Sequence, residues 1–128
     1  MASAHAYALT NHEDHTFMEA IGSELAELMV CQPQNRNRIV NALTILRSAM
    51  ISHFRQEEAI MKSENYPYLF QHKGSHDYII NYISIFISSF APGREDAPAD
   101  IWPALKKTLE THIQKYDDPL ILYLGVNP

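Results

Sequence analysis

At 128 residues the chain is long enough for one hydrophobic core and too short for two full-sized domains. Its formal charge is -5, with the ten Lys and Arg residues scattered, so no basic stripe exists for nucleic acid or an anionic membrane surface. A single cysteine, Cys31, rules out a disulfide framework and any cysteine-rich zinc or iron–sulfur site.

Residues 1–9 read as an extended arm holding a solvated His5, with no basic start and long apolar run that would mark a secretory signal. Thr10 and Glu13 match a capping box, which predicts a helix over 11–30. Its apolar stripe steps by three and four through Met18, Gly22, Leu25 and Met29, and His15 heads that inward face. His12 lies in poorer register with the stripe and is the weaker candidate. Pro33 and the polar residues around it break the pattern, with a new N-cap at Asn35 or Asn37.

The second helix, over 36–62, carries Ile39, Leu43, Leu46, Met50, His53, Glu57 and Ile60 on one stripe. His53 and Glu57 therefore replace core residues. Glu58, one position round, is expected to be solvated or to support the site from outside. Ser63 to Pro67 ends this helix, and a third is predicted over 67–90 through Leu69, His72, His76, Ile79, Ile83, Phe86 and Phe90. Positions i and i+4 stack on one helical face, so His53 with Glu57 and His72 with His76 each aim two donors at one point. The apolar region from Tyr78 to Phe90 is interrupted by Asn81, Ser84, Ser88 and Ser89 and is too short to span a bilayer. A soluble cytoplasmic protein without membrane insertion is expected.

Residues 91–99 are a loop by composition, and Asp100 is the expected N-cap of a fourth helix over 101–117. Its stripe runs through Trp102, Leu105, Leu109, His112 and Tyr116. Asp117 follows His112 by five residues, about 140° away on a regular helix, so it reaches the His112 face only from the edge. Residues 120–126 form a short apolar tail.

Four helices with short connections predict an all-α, up-down-up-down antiparallel four-helix bundle with an N-terminal arm and a short C-terminal tail, one domain over 1–128. That topology brings His15, His53, Glu57, His72, His76, His112 and Asp117 to one level. Five imidazoles and two carboxylates without a thiolate suit iron or manganese better than structural zinc, and two carboxylates can each bridge a pair of metals.

In His15, His53-Phe-Arg-Gln-Glu57-Glu58 with Met61, Tyr66-Pro67, His72-x-x-x-His76 and His112-Ile-x-x-x-Asp117, the chain resembles the bacterial haemerythrins over nearly its whole length. The resemblance implies two iron ions, Fe2+ or Fe3+, with a bridging oxo or hydroxo group. It assigns His72, His76 and His112 to one iron, and His15 and His53 to the other, which keeps an open position for dioxygen; Glu57 and Asp117 bridge them. It further implies reversible dioxygen binding for storage, delivery or sensing rather than catalysis, with a redox or oxygen-accepting protein as partner. The competing functions are a diiron oxidoreductase acting on peroxide or nitric oxide, and a metal-stabilised interaction or sensor module. The chain departs from the family in having His12 where an acidic residue is common, Ala49 where an aromatic is common, and no N-terminal Trp.

Overall fold

The computed structural model describes residues 4–31, 33–90 and 101–125. The chain forms α1 (Ala4–Val30), α2 (Arg36–Ser63), α3 (Leu69–Ser88) and α4 (Ile101–His112). The last of these runs on through one π-helical turn (Ile113–Asp117) into α5 (Asp118–Leu124). Helices α1 and α3 each pack against both α2 and α4, which closes the antiparallel four-helix bundle that the periodicity predicts. The loop and cap expected over 91–100 lie outside the described residues.

The extended arm is corrected. α1 begins at Ala4, so Thr10 and Glu13 lie inside a helix rather than capping one. The reason is local and tertiary at once. Ala4, Ala6 and Ala8 are strong helix formers, and Tyr7 between them has a buried place, at 4% exposure. His5 sits in the first turn, and its side chain lies outside the described residues.

The N-cap of α2 is Asn35, whose side chain accepts a hydrogen bond from the Arg38 amide at 3.1 Å. Its C-terminus closes as a Schellman motif. Asn65 takes a left-handed φ of 54°, its amide donates to the Lys62 carbonyl, and the Tyr66 amide donates to the Met61 carbonyl at 2.8 Å. Pro67 falls in the turn, and α3 therefore starts at Leu69 rather than at Pro67. The segment expected as an apolar tail is helical in α5, which buries Leu120 and Ile121.

Two apolar clusters result. The larger joins Leu25, Met29, Leu43, Leu46, Met50, Ile79, Ile83, Phe86 and Leu105 among others, from all four long helices. The smaller joins Tyr7, Ile60, Met61, Tyr66, Leu120 and Ile121. Along α2, His53 and Glu57 stand between Met50 in the first cluster and Ile60 in the second; along the last helix, His112 and Asp117 stand between Leu105 and Leu120. A polar layer is thus enclosed between two apolar ones. Each such position would contribute about 1.5–3 kcal/mol if filled by a large hydrocarbon side chain, so the layer is a cost to folding unless its polar groups find partners.

Candidate metal centre

Six of the seven side chains singled out above are no more than 4% exposed: His53, Glu57, His72, His76, His112 and Asp117. The seventh, His15, is half-buried, with its side chain 25% exposed, whereas His12 is exposed. Ligating atoms of Glu57, His72, His76, His112 and Asp117 lie within 4.8 Å of one another, and so do those of His15, His53 and Asp117. The structure therefore brings all seven together, as two overlapping groups, either of which could hold a metal ion.

The carboxylates connect the groups. Oε1 of Glu57 lies 2.9 Å from Nε2 of His76 and 3.5 Å from Nε2 of His72, while Oε2 lies 3.5 Å from Nε2 of His53. Oδ1 of Asp117 is 3.0 Å from Nε2 of both His72 and His112, and Oδ2 is 4.0 Å from Nε2 of His15. Each carboxylate presents one oxygen to the three-histidine set and the other to the two-histidine set. All five imidazoles direct Nε2 inward.

The outer nitrogens are held separately. Nδ1 of His53 meets Asp14 Oδ2 at 2.8 Å, Nδ1 of His76 meets Glu58 Oε2 at 2.8 Å, and Nδ1 of His112 meets Ser75 Oγ at 2.6 Å. A carboxylate only accepts, so His53 and His76 carry a proton on Nδ1 and direct a lone pair, or a second proton, at the centre. Neutral His76 could then not donate to Glu57 as well; the inner contact calls for a proton or a metal cation. Phe54 stacks on the His76 ring at 3.9 Å between centroids and fixes its plane.

The inner geometry is that of donors aimed past one another. Nε2 of His112 lies 3.0 Å from Asp117 Oδ1, yet it and Nε2 of His53 are buried without a hydrogen-bond partner among the described residues. Close approach without alignment is expected where both atoms point at a shared third site. An acceptor-rich, imidazole and carboxylate set of this kind fits divalent or trivalent iron or manganese.

Charge is concentrated here. Burial alone lowers the basicity of His53, but contacts with Glu57 and Asp14 outweigh it and raise its pKa from 6.5 to about 9. Burial likewise opposes the charged form of His72, and Asp117 with Glu57 raises it to about 9. Burial pushes the Glu57 carboxyl up, while the close imidazoles of His53, His72 and His76 hold it well below the usual carboxylate range. His15 is lowered, by burial and then by the neighbouring His53.

Asp117 reaches the centre through a change in the backbone. On a regular helix it would lie about 140° from His112. The π-helical turn widens the helix there, with the Asp118 amide donating to the Ile113 carbonyl five residues back, so that residues five apart come into phase. Asp117 then faces His112 directly and Tyr116 stacks on the His112 ring, 5.4 Å between centroids. The edge approach expected from a regular helix is corrected accordingly.

One residue at the centre escapes the sequence pattern. The Tyr7 hydroxyl donates to Glu57 Oε2 at 2.5 Å across fifty positions of sequence, and burial followed by the Glu57 charge pushes its pKa up. Tyr7, Asn11 and His15 step by four along α1, and Asn11 is also buried. Replacing Tyr7 by Phe removes a donor from a buried carboxylate. The metal-free protein is expected to lose about 1.5–3 kcal/mol, measured by urea denaturation, and an unchanged midpoint would show that the hydroxyl does not support Glu57.

No family model matches the chain, and no solved structure matches it. Among curated proteins it is similar to a bacteriohemerythrin of Methylococcus capsulatus, 28% identical over 83 residues that make up 65% of this chain. The match covers 63% of that relative's length. Together with a buried group of histidines and carboxylates between the helices of a four-helix bundle, this bears out the resemblance to the bacterial haemerythrins.

Proposed function

We propose that the chain is a non-haem diiron protein that binds dioxygen reversibly, for storage, delivery or sensing. The observation that carries the reading is the split of each carboxylate between two histidine sets: Glu57 turns one oxygen to His72 and His76 and the other to His53, and Asp117 divides in the same way between His72 with His112 and His15. In this reading His72, His76 and His112 would hold one iron and His15 and His53 the other, with Glu57 and Asp117 shared between them. A pair of irons held there would supply the reducing electrons that reversible dioxygen binding needs. Asp14 and Glu58 hold the proton of His53 and His76 on Nδ1, leaving Nε2 free to face the centre, and Ser75 fixes the orientation of the His112 ring. The flanking apolar clusters close the polar layer to water along the bundle axis.

A second reading, a diiron oxidoreductase acting on peroxide or nitric oxide, draws on Tyr7. Its hydroxyl is hydrogen-bonded to Glu57 and could relay a proton to a reacting ligand, although burial and the Glu57 charge hold that proton tightly.

Two measurements separate these readings. Elemental analysis gives the metal and its amount. The anaerobic, reduced protein is then exposed to air and evacuated: a new absorption spectrum that reverses under vacuum supports binding, and irreversible oxidation supports turnover. His76→Ala is expected to lower iron content to roughly half or less of the wild-type value, since removing one ligand typically costs far more than the 10–100-fold in affinity seen for outer partners. His12→Ala, at an exposed position, leaves it unchanged. Full loading of the His76 variant refutes the ligand assignment.

A further inference from the structure

A cavity of about 500 Å³ lies between α1 and α4 and reaches the polar layer. Of the seven side chains at the centre, His15, His53, His112 and Asp117 line it, and Glu57, His72 and His76 do not. It therefore opens on the two-histidine position, the one with the fewest protein donors. Its middle is walled by Met18, Met50, Phe54, Trp102, Leu109 and Ile113. The charged residues Glu19, Lys106 and Glu110 stand at its rim, where they are exposed.

Size sets what the cavity can hold. A water molecule takes up about 30 Å³ of liquid, and a diatomic gas is of the same order, so dioxygen alone leaves most of this space unfilled. Sites for small organic molecules run from about 300 to 1,000 Å³ and are mostly apolar with a few polar groups at one end. This cavity has that size and that asymmetry. The rim carries both signs of charge, so it selects for neither an anion nor a cation.

Gly22 sets the shape of one wall. A Cβ at that position would lie 2.4 Å from Cζ2 of Trp102, so the absence of a side chain there is what lets the indole lie against α1. Any larger residue pushes the ring away from the helix.

We propose that this cavity binds a small uncharged organic molecule, apolar along most of its length and on the scale of a medium-chain alcohol, beside the two-histidine position. The inference deepens the proposed function and rests on it for the role of that position. The cavity itself is independent of metal identity.

The test uses n-hexanol and the intrinsic fluorescence of Trp102, the single tryptophan of the chain. Titration of the iron-loaded protein is expected to give a saturable shift in emission, with affinity rising roughly fourfold for each methylene between n-butanol and n-hexanol. Gly22→Ala, which displaces the ring at no cost in helix propensity, and Ala26→Phe, which adds a ring at the exposed mouth, are each expected to weaken n-hexanol by roughly tenfold or more. Absence of a saturable shift in the wild type, or unchanged affinity in both variants, overturns the proposal. Iron content and the air-reversible spectrum are read on the same samples. Iron-loaded, gas-reversible protein that ignores n-hexanol removes this inference and leaves the proposed function standing; n-hexanol binding in protein that takes up no iron does the opposite.

Discussion

Glu57→Gln is expected to abolish stable metal loading and to destabilise the metal-free protein by about 3 kcal/mol or more. The substitution keeps the side-chain volume and removes a charge that is fully buried, at 0% exposure. Glu57 sits within 3.5 Å of His53, His72 and His76 and accepts from Tyr7, so its loss leaves three buried imidazoles and a buried hydroxyl facing a neutral amide in place of a charge. In the proposed centre it also removes one of the two bridges, and both irons lose a ligand at once. Glu58→Gln is the matched control, since Glu58 meets the outer nitrogen of His76 rather than the inner ones and its side chain is 26% exposed; its effect on loading is expected to be much the smaller. Equal iron content and equal urea midpoints for the Glu57 and Glu58 variants would contradict the central placement of Glu57.

The second large effect concerns pH. His53 and His72 are raised in the folded state from 6.5 to about 9. Their contribution to stability is complete below the unfolded value and is lost as pH climbs through about 9. At 1.36 kcal/mol per unit, each accounts for on the order of 3 kcal/mol, and because both draw on Glu57 and Asp117 their joint effect is less than twice that. Glu57 acts in the other direction, contributing above its ordinary value of 4.5 and losing that contribution in acid. Metal-free protein is therefore expected to be most stable between about pH 4.5 and 6.5 and to weaken steadily toward pH 9. A metal ion displaces the protons from His53 and His72, so loading releases protons near neutral pH and tightens as pH rises. Melting temperatures from pH 5 to 10 with and without iron give both curves. If they run parallel, the bound metal is not replacing the imidazolium protons.

Much of this was legible because helical periodicity and chemistry coincide. His53 and Glu57 occupy the same stripe as Leu46 and Met50, and His72 and His76 the same stripe as Ile79 and Ile83. A period of 3.6 residues places them inward whether or not their role is known. What was hidden has three physical origins. The first is propensity near a chain end: Thr10 and Glu13 make a credible cap, and nothing local reveals that Tyr7 has a buried partner fifty residues on, which draws the helix back to Ala4. Had the arm been read as helix, the four-residue steps from Tyr7 through Asn11 to His15 would have pointed at the centre. The second is the loss of regular geometry at residues 113–117, where a spacing of five is in phase only because the helix widens. Asp14 is a third case. It precedes His15 directly and so turns away from that side chain's face, yet it reaches Nδ1 of His53 on the neighbouring helix, a pairing that periodicity along one helix does not contain.

The widened turn also bears on attempts to rebuild this centre elsewhere. A designer who transplanted the side chains onto ideal helical scaffolds would find Tyr116, four positions after His112, occupying the slot meant for oxygen, and the aspartate swung toward solvent. The copy would keep Glu57 as its single linking carboxylate and lose the contacts of Asp117 with His72, His112 and His15. What must be inherited along with the residues is therefore a flaw in the main chain, one surplus amino acid that no catalogue of side chains records.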